Sequence, residues 1–205
     1  MKKFLIIVLN LMLISSLYGD AFKLMGGLNL ARYTVSPKEE STELSYKMGL
    51  FVGGGFEFDL TEHIFLEFDL LLLQKGSKVE FQDLPDVESN YNLRTISIPV
   101  VAGIKFKRNM PFYILGGAEF SLILSHVFVE KIGEDVDEQD LKENSKSFDF
   151  GLVFGCGFEV KVGRFRSFFV EGRYHLGFAN ILKDSIEYQS MKTKTILLVL
   201  GIKSY

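Results

Sequence analysis

Between Phe51 and Leu73 the chain reads FVGGGFEFDLTEHIFLEFDLLLL, and apolar side chains recur at every second position on both sides of Thr61-Glu62-His63. One set is Val52, Gly54, Phe56, Phe58 and Leu60, followed by Ile64, Leu66, Phe68, Leu70 and Leu72. The facing set mixes glycine and carboxylates: Gly53, Gly55, Glu57 and Asp59, then Glu67 and Asp69. A repeat of two places the sets on opposite faces of a strand, so this stretch predicts two strands joined by a tight turn. The same alternation runs through FKLMGGLNLA, LRTISIPVVAGIKF, FYILGGAEFSLIL, FDFGLVFGCGFEVKV, FFVEGRYHLGF and TILLVLGIKSY, the last of which is apolar on both faces. That predicts eight strands of roughly 10 to 14 residues, longer than the usual five or six of soluble sheets and long enough to cross a bilayer at a tilt.

Which solvent meets the uncharged face decides the fold class. In a soluble eight-stranded barrel that face would point inward around a ligand and the other would meet water. The facing sets argue against this. They are rich in glycine, which weakens a solvent-facing strand but makes room where side chains crowd inside a narrow barrel. The uncharged sets then face lipid, and closure satisfies every backbone group, as lipid demands. The connections support the same reading. Short links at 61–63, 107–110 and 163–167 alternate with long polar ones at 34–45, 76–92, 127–146 and 179–192, so all long loops lie at one end. Outer-membrane barrels show that asymmetry, with short periplasmic turns and long extracellular loops. A weak internal repeat, Gly55 to Phe58, Gly117 to Phe120 and Gly157 to Val160, is irregularly spaced and reads as one hairpin environment reused.

Residues 1–21 begin Met1-Lys2-Lys3 and continue with FLIIVLNLMLISSL, too short to span as a helix; they predict a cleaved signal peptide, leaving 22–205 as one barrel domain. The single cysteine, Cys156, excludes an internal disulfide and falls on the lipid face as a small apolar filler. A net charge of −3 points to no nucleic-acid partner.

The opening strand GGLNLARY, the central LRTISIPVVAGIKF with its Ile98-Pro99-Val100 element, and the later GGAEFSLIL, FGCGFEVKVGRF and FVEGRYHLGFANI resemble the PorT-type outer-membrane β-barrel family over nearly the whole mature chain. The resemblance implies an eight-stranded barrel and a surface role associated with protein export. Tyr205 departs from the terminal aromatic common in such barrels, because it is out of phase with Leu200 and Ile202.

Candidate chemistry is sparse. Ser121 and Glu119 share the inward face of one strand, and Glu171, Arg173 and His175 that of another; together they suggest an acyl-transfer set, or simply the polar filling of a lumen. His126, beside Ser125, is expected on the lipid face at the extracellular end, where a lipid hydrolase would need it. His63 has no partner at metal-ligand spacing, and the acidic loop from Glu130 to Glu143 lacks the glycine of a calcium loop, so it reads as a mobile, solvated segment able to meet a basic partner. No catalytic site, metal or cofactor is expected. The inward charges Glu57, Glu67, Lys105, Glu119, Glu159, Glu171, Arg173 and Lys203 are expected to form an ion-pair network in the lumen, with Gly53, Gly55, Gly117, Gly155 and Gly157 making room beside it. The expectation is a monomeric barrel in contact with outer-membrane lipid, acting through its extracellular loops on a protein or glycan in a structural, adhesive or export-associated role. A lipid-modifying enzyme and a small-solute porin remain as alternatives.

Overall fold

The computed structural model describes residues 21–36, 42–81, 87–107, 110–132, 135–182 and 190–205. The expected signal segment up to residue 20 lies outside them, and Ala21 already begins the first strand. The strands are β1 (Ala21–Ser36), β2 (Thr42–Asp59), β3 (Ile64–Phe81), β4 (Val87–Lys107), β5 (Met110–Ile132), β6 (Asp135–Asp140), β7 (Phe148–Lys161), β8 (Arg166–Gly177) and β9 (Ser190–Ser204). Neighbours pair antiparallel in the order β4-β3-β2-β1-β9-β8-β7-β5, and β4 also pairs with β5, so eight strands close on themselves. The ninth, β6, extends the sheet at the long-loop end of β5.

The faces follow the alternation. On β3, Ile64, Phe68, Leu70 and Leu72 are exposed, while Phe65, Glu67, Asp69, Leu71 and Leu73 are buried inside. On β9, which is apolar on both faces, Ile196, Leu198, Leu200 and Ile202 point out, and Leu197, Val199 and Lys203 point in. Cys156 is exposed on the outer face. An outward surface so apolar is unstable in water and suited to hydrocarbon.

The strands are longer than their apolar signal. β4 has 21 residues and β5 has 23, because both continue through segments expected to be loops. Beyond the apolar belt outward side chains meet water, so hydropathy stops alternating in sign while the backbone ladder continues. The acidic segment is corrected in the same way: Asp135–Asp140 pair with Val127–Ile132 as β6, and Ser145 bridges to Leu182. Glu134 lies outside the described residues.

At the short-turn end, Thr61 Oγ1 accepts from the backbone N–H of His63 at 3.2 Å and Ile64 at 2.9 Å, which fixes the link without any role for the His63 ring. In the 162–165 link Gly163 adopts φ +80°, a conformation other residues rarely take.

Glycine inside the wall serves close approach. A Cβ on Gly117 would lie 2.7 Å from Val101 Cα and nearer still to the Val100 carbonyl, both backbone atoms of the adjacent strand. Gly117→Val should therefore destabilise by about 1–3 kcal/mol through overpacking. Gly172 faces outward with nothing near a Cβ, so Gly172→Ala should stay within about 0.5 kcal/mol. Urea unfolding in lipid vesicles compares the two directly.

Candidate functional site

Closing the sheet brings inward charges from strands far apart in sequence into one narrow lumen. The lowest tier, nearest the short turns, is a chain. Lys105 Nζ lies 2.9 Å from Glu57 and 2.6 Å from Asp59, and Lys203 Nζ lies 2.6 Å from both Glu57 and Glu159. Ser167 also donates to Glu159 at 2.7 Å, and the Tyr205 hydroxyl donates to the same carboxylate. The terminal aromatic is thus out of phase with the lipid face because it is engaged inside.

An aromatic layer of Phe65, Tyr113 and Phe169 separates this chain from the next tier. Lys203 lies 5.2 Å from the Tyr113 ring centre, and Lys23 lies 4.4 Å from that of Phe169. Above the layer, Arg173 spreads its guanidinium over three carboxylates, reaching Glu67 at 2.6 Å, Asp69 at 2.6 Å and Glu171 at 2.5 Å. Lys23 adds 2.6 Å to Glu67 and 3.1 Å to Glu171, and the Tyr113 hydroxyl donates to Glu171 at 2.5 Å. These ion-pairing side chains have no solvent exposure. Glu57 and Glu67 are direct cross-strand partners, as are Lys23 and Lys203, so like charges sit opposite one another. Each is tolerated because it turns toward a cation or carboxylate of its own tier. A Cβ on Gly157 would meet Tyr113 and Glu171 at 2.7 Å, so the cluster fits only beside glycine.

Of the eight expected network residues, seven lie in these two tiers. Glu119 stands higher, in a separate group with Lys75 at 3.3 Å and His175 at 2.8 Å. Lys23, Asp59, Asp69, Lys75 and His175 supply the other partners. Lys23 and Asp69 were already on the inward set by parity alone, whereas Lys75 stands at the edge of a segment expected to be loop.

The serine and histidines do not form a hydrolytic arrangement. Ser121 donates to Glu119 at 3.1 Å and shares a 2.6 Å hydrogen bond with Ser97, while His175 holds the other oxygen of the same carboxylate. The acid therefore stands between serine and histidine, and His175 does not touch the Ser121 hydroxyl. His126 is a correction. Arg94 pairs with Ser125 but the next residue, Thr95, pairs with Ile123, so a β-bulge adds one residue to β5 and reverses the alternation above it. His126 consequently turns inward with no exposure. There Nδ1 lies 2.7 Å from Ser145 Oγ and Nε2 lies 3.4 Å from the Tyr33 hydroxyl. The Ser145 hydroxyl also lies 2.7 Å from the Leu141 carbonyl, which it can reach only as donor, so the pair holds the 141–147 segment against a buried cluster of Tyr33, Leu93, Ile123, Ile181 and Met191.

Residues 21–183 match the family described as the outer membrane protein beta-barrel domain. The chain belongs to this family. Its barrel sits in a bacterial outer membrane, short turns at the periplasmic end and long strands at the extracellular end. Among solved structures it is similar to the outer membrane protein OprG from Pseudomonas aeruginosa, at 12% identity over 90% of this chain and 95% of that one, with a TM-score of 0.54. It also matches Neisserial surface protein A (16% identity, 90% and 97% covered, TM-score 0.44). A third match is Ail, the attachment invasion locus protein of Yersinia pestis, solved with the heparin analogue sucrose octasulfate (13%, 90% and 98%, 0.43). At such identities the likeness to OprG is one of fold. No curated protein matches the sequence.

Proposed function

We propose that this outer-membrane barrel is a closed, non-enzymatic surface anchor that acts through the extracellular extensions of its strands, in a structural, adhesive or export-associated role. One observation carries the reading. The tier of Arg173, Lys23, Glu67, Asp69 and Glu171 crosses the lumen with its side chains fully buried. An eight-stranded barrel is only wide enough for side chains, so such a tier leaves no path for solute. Both histidine–serine settings are sealed from lipid and water, which weighs against lipid modification. The export association rests on the PorT-type resemblance alone. The acidic edge of β6, with Asp137, Glu138 and Asp140 exposed, suits a basic partner.

Purified protein in planar bilayers should show no sustained conductance; stable open channels would sink this reading and promote the porin. The surface role is tested on cells expressing the barrel. Neutralising Asp137, Glu138 and Asp140 to Asn, Gln and Asn should lower attachment to an oligolysine-coated surface while leaving the amount of folded barrel unchanged. Unchanged attachment would remove the acidic edge from the proposal.

A further inference from the structure

The β2–β3 ladder shifts register near the extracellular end of the apolar belt. It runs from Asp59 up to Phe51, opposite Leu73, and resumes at Tyr46, opposite Ser77; between them residues 47–50 of β2 and 74–76 of β3 form no register pairs with each other, although each run stays paired with its other neighbour, β1 or β4. Asn29 of β1, itself buried, reaches past β2 and donates Nδ2 to the Gln74 carbonyl at 2.9 Å, supplying the rung that β2 does not.

Two hollows meet at this irregularity. The larger, about 730 Å³, is an open groove on the outer wall lined mainly by apolar side chains, among them Leu28, Leu50, Val52, Leu72 and Leu124. The smaller, about 420 Å³, is mainly polar and holds Lys47, Lys75 and Asn92. Gln74 and Arg94 line both. The two hollows therefore form one cleft with an apolar lower part and a cationic upper part. Arg94 and Gln74 are cross-strand partners one step above the last apolar outward residues of their strands, Ile96 and Leu72. That level is where hydrocarbon gives way to headgroups. Arg32 and Lys194, paired across β1 and β9, likewise follow Leu30 and Ile196 and continue the cationic row.

Two of the cations in the cleft have no carboxylate partner among the described residues. Lys47 Nζ is held by a neutral group, Asn92 Oδ1, at 2.5 Å, and among the described residues neither Lys47 nor Arg94 has a carboxylate within ion-pair distance. Lys75 is turned to Glu119 at 3.3 Å. Among the described residues, the carboxylate lining the polar hollow is Glu138, which belongs to β6 and pairs with Val129, four residues beyond Ser125, the partner of Arg94.

We propose that this cleft binds an anionic, phosphate-bearing lipid on the extracellular side of the membrane, one acyl chain in the groove and its phosphate between Lys47 and Arg94. A lipid-facing groove is always filled by hydrocarbon, so the selectivity comes from the two cations, which favour an anionic headgroup over a zwitterionic one. The site lies in the wall, and the proposal does not rest on the closure of the lumen or on the surface role.

The chain contains no tryptophan, so a single introduced one reports alone. Leu50→Trp places it in the apolar wall of the cleft and Phe154→Trp on β7, away from it. Each variant is folded into dioleoylphosphatidylcholine vesicles carrying a minor fraction of either brominated phosphatidylglycerol or brominated phosphatidylcholine. At residue 50 the anionic lipid should quench with about fivefold greater relative affinity, the size expected for one basic side chain meeting an anionic lipid near the surface. At residue 154 the two lipids should quench alike. Adding Lys47→Gln with Arg94→Gln should abolish the preference at residue 50, with folding verified by the shifted migration of unheated protein. Equal preference at both reporters, or a preference that survives the double substitution, overturns the site.

Discussion

Replacing Arg173 with alanine should cost about 3–5 kcal/mol of folding stability, the largest loss expected from any single side chain in this barrel. Arg173 pairs with Glu67, Asp69 and Glu171, and its removal leaves three buried carboxylates with Lys23 as their one remaining cation. A typical domain is stable by only about 5–15 kcal/mol, so the variant should unfold at much lower urea in vesicles and lose much of its heat-dependent gel shift. Asp69→Asn tests the balance from the other side. It leaves two carboxylates facing two cations and keeps an acceptor toward Arg173, so its loss should be close to that of one hydrogen bond, about 1 kcal/mol. Asp137→Ala, on exposed β6, should fall within about 0.5 kcal/mol. If Arg173→Ala were as mild as Asp137→Ala, the interior tier would not hold the barrel together.

Phe68→Arg should lose about 2–4 kcal/mol, because it places a guanidinium in the apolar belt. Phe68 is 40% exposed on β3, midway between Ile64 and Leu72, and packs edge-on against Phe58 with ring centres 5.9 Å apart. Leu152→Arg, outward on β7 opposite Ala118 and Leu176, should behave similarly. Phe68→Leu keeps the surface apolar and loses only the ring contact, so it should be far milder. The measurement is again the urea midpoint in vesicles of defined lipid. A neutral Phe68→Arg would mean that this face meets water.

Much of this was legible from residue order because strand alternation is a local property. Glu67 and Asp69 point inward and Phe68 points outward whatever the rest of the chain does, since successive Cβ atoms leave opposite faces of a strand. The glycines on the charged face marked which side would be crowded, and the alternation of short and long links gave the hairpin order. Tertiary structure alone decided which charges meet. Lys23 finds Glu67 across 44 residues and Arg173 finds Asp69 across 104, because the meeting depends on strand neighbours and on the stagger with which β9 closes against β1. It also decided where the strands end, since above the lipid hydration removes the hydropathy signal while the hydrogen-bonded ladder continues through β4, β5 and β6. The face of His126 was decided in the same way: one extra residue at Leu124–Ser125 reverses every side chain beyond it, and composition at that point, Leu-Ser-His-Val, is compatible with either register until the partner strand selects one.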